Sequence, residues 1–376
     1  MPIPLSLYIH IPWCVQKCPY CDFNSHALRT TLPESDYIHR LLNDLQTDKL
    51  RFNEQRPLAS IFIGGGTPSL FSGGSIKQLL DGIARQFTFS DNIEITLEAN
   101  PGTLDEQHFA GYYRAGINRL SIGVQSFHNQ QLKQLGRIHR ADDAVRTVKT
   151  AQDIGFDNIN IDLMFGLPEQ TAAQALSDID RGIALNTEHL SYYQLTLEPN
   201  TAFARRPPCL PADDSIDERF VAAANILQQN GFHRYEVSAW SRGRQSQHNR
   251  NYWQYGDYLG IGAGAHGKIT LVQNGKRQII RTTKPRAPKI YLGNFTDDER
   301  IVREDEKAFE FMLNTLRLAD GFPRRLIRDR GLMDETTVLP TLRHLANKGL
   351  LIITPDSIYP TELGKRFIND MVEAFL

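Results

Sequence analysis

Short apolar runs alternate with amphipathic stretches six times within the first 231 residues, and this alternation restricts the fold more than any other feature of the chain. The runs are LSLYIHI (5–11), SIFIGGG (60–66), IEITLEA (93–99), RLSIGVQS (119–126), NINIDLMFG (158–166) and HLSYYQLT (189–196). After them come DYIHRLLNDLQTDKL (36–50), SIKQLLDGIARQF (75–87), LDEQHFAGYYRAG (104–116), ADDAVRTVKTAQDIG (141–155), AAQALSDIDRGIAL (172–185) and IDERFVAAANILQQNG (216–231). The runs have strand length and composition; the second set repeats its apolar residues at i, i+3 and i+4, as helices do. Gly116, Gly155 and Gly231 close three of those helices, where a left-handed C-terminal residue is wanted. Six successive βα units predict an α/β fold with a parallel sheet covered by helices. An open doubly wound sheet and a barrel both satisfy the pattern. Either places ligands at the C-terminal strand ends, and polar and glycine residues collect there as GGGTP, EANP, GVQS and DLMFGLP.

With 376 residues, 41% of them hydrophobic and 23% charged, the chain can bury a large core and divide into two or three domains. A net charge of −1 gives no reason to expect nucleic acid as a partner; RGRQSQHNRN (242–251) is the basic stretch of note. The opening MPIPLSLYIHIPWC has no cationic start followed by a long apolar core. No run approaches the roughly 18 apolar residues of a spanning helix. The expectation is a cytoplasmic protein, not itself transmembrane.

Three regions follow. Residues 1–240 carry the βα core. Residues 241–298 form a connecting segment rich in Gly, Tyr and Arg. From 299 to 376 the order is helix, helix, helix, the alternating IITPDSIYP, then ELGKRFINDMVEAF, which predicts a winged-helix-like α+β module. Without a basic excess that module suits a scaffold or docking role better than DNA binding.

Three of the four cysteines, Cys14, Cys18 and Cys21, fall within eight residues directly after the first strand, whereas Cys209 is remote. So few cysteines make no disulfide framework, and a tight group reads as metal or redox chemistry. Zinc completed by His10 or His26 is one solution. CPYC (18–21) also fits a thioredoxin-type pair. A [4Fe–4S] cluster with three ligated irons and one open iron is the third.

C-x3-C-x2-C in the first βα loop of a (βα)6 chain resembles the radical S-adenosylmethionine (SAM) enzymes. The resemblance implies an incomplete (β/α)6 TIM-like barrel and a [4Fe–4S] cluster on Cys14, Cys18 and Cys21. It also implies SAM chelated to the fourth iron, with an electron from the cluster cleaving the sulfonium to a 5′-deoxyadenosyl radical. By themselves Gly65, Gly66 and Thr67 make a tight strand-to-helix turn, not a Walker loop or a dinucleotide fingerprint, and Glu98 reads as a strand-end acid. Gln125, Arg137 and Asp162 are similar polar residues at or just beyond strand ends. By resemblance these, with Tyr8, contact SAM, and some line a second SAM position in the coproporphyrinogen branch. Gly262–Gly267 (GAGAHG) matches GxGxxG, but a strand follows it, so a glycine turn beside the site is the better reading.

LYIHIPWC, FIGGGTPSL, LEANPGT, LSIGVQSF, IDLMFGLP and the C-terminal module together resemble the anaerobic coproporphyrinogen III oxidase-like (HemN/HemW) family across nearly the whole chain. The oxidases carry a further cysteine two places after the third; here that place is Phe23. HNRNY (248–252) matches the H-N-x-x-Y motif of the heme-chaperone branch, although in an arbitrary chain such a stretch would be a polar surface loop. The resemblance implies heme held by His248, Asn249 and Tyr252 and delivered to client haemoproteins, some of them possibly membrane-bound, with an electron donor serving the cluster. Oxygen-independent coproporphyrinogen III oxidation is the alternative within the same family.

Overall fold

The computed structural model describes residues 3–102, 106–273 and 275–376. Six parallel strands form its centre: β1 (Leu5–Ile11), β2 (Leu58–Gly65), β3 (Phe89–Ala99), β4 (Arg119–Gln125), β5 (Ile159–Phe165) and β6 (His189–Gln194). They lie side by side in chain order, and six helices cover the outer face: α1 (Glu34–Phe52), α2 (Gly73–Ala84), α3 (Glu106–Ala115), α4 (Ala141–Ile154), α5 (Ala172–Ala184) and α6 (Asp213–Gln229). Positions 104 and 105 of the expected helix 104–116 lie outside the described residues. Gly116, Gly155 and Gly231 have φ of 105°, 115° and 81°, the left-handed closures read from the sequence.

The period-2 rule explains the two faces of the sheet. Leu5, Leu7, Ile9 and Ile11 of β1 are buried, in the same core cluster as residues of α1 and α2. The alternate residues line the opposite, concave face, and most are polar: Ser6, Tyr8 and His10, then Glu94, Thr96 and Glu98, then Asn160 and Asp162. Register links them across strands, with Ser6 opposite Ser60, Ser60 opposite Glu94, and Asn160 opposite His189. The apolar layer is therefore outside the curve, and the inside is a polar trough.

The trough does not close into a barrel. β1 pairs with the parallel strand Asp257–Ile261, and β6 with the antiparallel strand Ala239–Ser241, in a mixed twelve-stranded sheet. Two further strands, His266–Gln273 and Lys276–Thr283, extend the β1 edge as a hairpin. At the C-terminus, helices Lys307–Thr315, Arg325–Asp329 and Glu335–Asn347 pack with a three-stranded sheet and helix Ile368–Glu373 around a separate apolar core.

Candidate functional site

The first βα loop is held at both ends. Short strands Trp13–Cys14 and His26–Ala27 pair in parallel, and Cys21 N–H closes a turn on the Cys18 carbonyl at 3.2 Å. Lys17 Nζ reaches the carbonyls of Phe23 and Ser25, each at 3.2 Å. Asn24 Nδ2 donates to the carbonyls of Ala263 and Arg286, both at 2.8 Å, fastening the loop to chain more than two hundred residues away. The GAGAHG run permits that approach: a Cβ on Gly264 would lie 2.3 Å from Asn24, and one on Gly262 would lie 2.3 Å from the His10 carbonyl oxygen.

The loop forms one wall of a cavity of 440 Å³ over the C-terminal ends of β2 to β6. Cys14, Cys18 and Cys21 all line it, none in a disulfide; Cys209 is exposed and does not. Among the described residues no three His, Cys, Asp or Glu side chains are already drawn into one ligand cage. Burial pushes the Cys14 and Cys21 thiols up, so a metal taking them as thiolates would have to displace their protons. Arg137 Nη1 stands 3.8 Å from Cys18 Sγ, which places a cation beside that sulfur. The donor set fits a [4Fe–4S] cluster with one open iron. A closed zinc site fits poorly, because neither His10 nor His26 lines the cavity and both His10 nitrogens are engaged, Nδ1 with Tyr8 Oη and Nε2 with the Asn24 carbonyl.

Opposite the loop the glycine turn is fixed by Gly66 N–H on the Ile11 carbonyl (2.7 Å) and Thr67 N–H on the Trp13 carbonyl (2.8 Å). A Cβ on Gly66 would come within 2.5 Å of the Trp13 oxygen. Gly65 takes φ +115° and donates its N–H to Glu98 Oε2 at 3.0 Å. Burial, with Asp162 nearby, pushes the Glu98 carboxyl up to about 7. Burial also raises Asp162, which accepts from Asn160 Nδ2 at 2.9 Å. Gln125 holds a left-handed φ of 68°, rare for a residue with a side chain, and its Oε1 accepts from Tyr193 Oη at 2.6 Å. Arg137 Nη2 donates to the Gly123 carbonyl and to Asn100 Oδ1. Gly65, Gly66, Thr67, Glu98, Gln125, Arg137 and Asp162 thus share one cavity with the cysteines. With the Gly65, Gly66 and Thr67 N–H groups already taken, what the strand ends offer a ligand is the oxygen acceptors of Glu98 and Asp162, which suit hydroxyl and amino donors.

Tyr8 stands apart from this wall. It stacks on Phe62 deeper in the trough, ring centroids 6.3 Å apart. The HNRNY residues lie deeper still, on α7 (Gln247–Trp253), which plugs the N-terminal end of the trough. Glu94 receives the start of that helix, accepting from Ser246 Oγ (3.1 Å), Gln247 N–H (3.1 Å) and His248 N–H (3.2 Å). His248 is only 1% exposed, its ring stacked on Phe62 and its Nδ1 3.0 Å from Ser60 Oγ. Burial lowers it to about 3, so the imidazole is neutral, and its Nε2 has no partner among the described residues. Asn249 and Tyr252 are half-buried beside it. The motif is a packed plug and not a surface loop, separated from the cysteines by the depth of the trough. Asn24, Asn100 and Tyr193 were not singled out from the sequence; the local signals were the N of CDFN and the N-P of EANP, while Tyr193 carried none.

An open βα trough with three cysteines in its first loop and a glycine turn facing them defines a radical SAM protein. The radical SAM superfamily profile matches residues 8–181, and that of the HemN C-terminal domain matches 302–367. The chain belongs to the HemW group of that superfamily. It is 49% identical over 378 residues to the heme chaperone HemW of Haemophilus influenzae, spanning 99% of this chain and 98% of that one. With the heme chaperone HemW of Escherichia coli the identity is 48% over 376 residues, again 99% and 98% of the two chains. The solved coproporphyrinogen III oxidase HemN of Escherichia coli superposes with a TM-score of 0.82 over 100% of this chain and 90% of that one; at 22% identity the likeness is one of fold.

Proposed function

We propose that the protein binds heme and delivers it to client haemoproteins, carrying a [4Fe–4S] cluster on Cys14, Cys18 and Cys21 with SAM beside it. The observation that carries the reading is the likeness to heme chaperones along the whole chain. Phe23, where the oxidases have their extra cysteine, is 59% exposed at the cavity edge and supports it. No described helix is long and apolar enough to cross a membrane. The working location is the cytoplasm, with an electron donor for the cluster and clients that include membrane-bound haemoproteins.

When bound, cluster and SAM supply one-electron chemistry at the open iron. The chain's own part is positional. Gly65 and Gly66 let backbone approach the amino acid end of SAM, Glu98 accepts from the ribose hydroxyls, and Arg137 steadies the Cys18 thiolate. Gln125 and Asp162 border the rest of the ligand, and Tyr8 supports His10 and hence the cysteine loop.

Two anaerobic incubations test the function. With heme, the reconstituted protein is expected to give a saturable Soret change. With coproporphyrinogen III, SAM and reductant it is expected to form no protoporphyrinogen IX; robust turnover restores the oxidase reading. His248→Ala with Tyr252→Ala is expected to alter the heme spectrum while leaving the cluster signal intact. An unchanged spectrum and affinity reject these residues as ligands without rejecting heme binding. His248 can reach iron only when α7 leaves its seat on Glu94.

Glu98 gives the SAM site a pH signature. It is mostly protonated below about 7 and ionised above, and the ionised form is the stronger acceptor for ribose. In the ligand-free fold the raised value means stability present at low pH and lost as pH rises through 7. SAM, favouring the ionised form, is expected to bind about fivefold tighter at pH 8 than at pH 6, roughly 1 kcal/mol. Calorimetric titration measures it, and Glu98→Gln is expected to flatten the profile. A flat wild-type profile removes Glu98 from the site.

A further inference from the structure

The SAM cavity shares a wall with a second one. Tyr193 and Gln194, at the end of β6, also line a cavity of 380 Å³ between the βα core and the C-terminal module. One side of it is a cluster of three rings. Phe165 stacks on Tyr192 (4.4 Å, 27°) and on Phe220 (5.5 Å, 30°), and Tyr192 and Phe220 are within 9° of parallel. The Arg234 guanidinium lies over Phe220, 5.1 Å from its ring centroid.

Arg234 is a half-buried cation with two acids, Glu236 and Glu362, near it but in no direct ion pair among the described residues. Its N–H groups go to the carbonyls of Glu236 and Val237, and no carboxylate pairs with it among the described residues. Burial lowers its pKa by more than the nearby Glu236 and Glu362 raise it. The C-terminal side adds Lys365 and Arg366. Each is held only by an acid on the rim: Lys365 by Glu362 at 2.7 Å, 89% exposed, and Arg366 by Asp217 at 2.5 Å. Exposed pairs of this kind are weak and are readily exchanged for a ligand's carboxylates. Half-buried Phe220 offers the cavity an apolar contact at the edge of this cluster, and the three cations outnumber the two acids of the lining, Asp213 and Asp217, which favours an acidic ligand.

We propose that this cavity holds a porphyrin by its ring face and its propionates, next to the SAM cavity and apart from α7. Resting on the heme-binding reading above, this places recognition of the macrocycle at the junction of core and C-terminal module, independently of the iron. Arg234 and Arg366 take the carboxylates, Lys365 assists, and Phe220 takes the ring. Core and C-terminal module both touch the ligand, so their separation would release it.

Metal-free protoporphyrin IX is the probe, because it has no iron to ligate. Titrated into the reconstituted full-length protein and followed by porphyrin fluorescence, it is expected to bind the wild type saturably. Lys365→Glu with Arg366→Glu, and separately Phe220→Ala, should each weaken it at least tenfold. Glu362→Ala with Asp217→Ala, which frees both cations, should tighten it two- to threefold, a gain that a damaged fold cannot produce. The dimethyl ester of the porphyrin should respond to Phe220→Ala and not to the charge variants. If all the cavity variants leave the affinity within twofold while heme still binds, the cavity is not the site and heme binding stands. If the wild type binds neither heme nor porphyrin, both readings fall.

Discussion

Each of Cys14→Ala, Cys18→Ala and Cys21→Ala is expected to abolish the iron–sulfur absorbance of the anaerobically reconstituted protein, whereas Cys209→Ala leaves it intact. The loop provides three thiols on one wall, and removing one leaves two, too few to hold a cluster against loss to solution. The histidines nearest in sequence offer no replacement, since His10 is engaged at both nitrogens and His26 is not among the residues lining the cavity. Cys209 lies exposed on a different stretch, its carbonyl accepting from Glu169 N–H, and supplies nothing to the site. Iron and sulfide analysis with the absorbance near 400 nm, the usual region of iron–sulfur charge transfer, measures the outcome. The three variants should lose nearly all bound iron yet remain folded, because two of these cysteines are only half-buried. Zinc with no iron in the wild type, under reducing anaerobic conditions, would overturn the assignment.

The cysteine loop was legible because its chemistry is local: three residues in eight, following a strand. The α/β order was legible for a similar reason, since each strand and helix shows its own period. The start of β3 was not. The run 93–99 extends back to Phe89, but Asp91 and Asn92 are exposed and break the apolar pattern. The position of HNRNY was hidden more deeply. Its polar residues resemble a surface loop, yet α7 is buried because the trough is polar inside and offers Glu94, Ser60 and Ser6 as partners. Those residues are over 150 positions upstream, and only the closed register of β1 to β3 brings them together. Asn24 is a similar case, since its two acceptors lie 239 and 262 residues further along the chain. What a polar residue does inside such a trough depends on pairing, and pairing is not written in any local period.

Lys284→Met is expected to lower stability by about 3–5 kcal/mol, the cost of leaving buried charges without a partner, and to lower cluster occupancy although no cysteine changes. Lys284 is buried, and its Nζ meets Asp44 at 2.7 Å, both oxygens of Asp48 at 3.0 Å and Asp297 at 2.8 Å. One ammonium thus holds three carboxylates. Burial already pushes Asp48 up to about 7 even with the lysine present. Without it the carboxyls must stay protonated to remain inside. The raised values of Asp44 and Asp48 mean stability present at low pH and lost as pH rises, so the deficit of the variant should widen between pH 6 and pH 8. Urea unfolding at the two pH values measures this. The link to the cluster runs through the backbone. Lys284 N–H donates to the Ala265 carbonyl, the Pro285 carbonyl accepts from Gly264, and the Arg286 carbonyl accepts from Asn24 of the cysteine loop. Loosening this segment releases the far anchor of the loop, so iron content after reconstitution should fall while SAM-independent folding markers persist at pH 6. Adding Asp48→Leu should recover part of the stability by removing one stranded charge. Equal stability of variant and wild type at pH 8 would show that the three carboxylates find other partners, and that Lys284 is not the strut behind the loop.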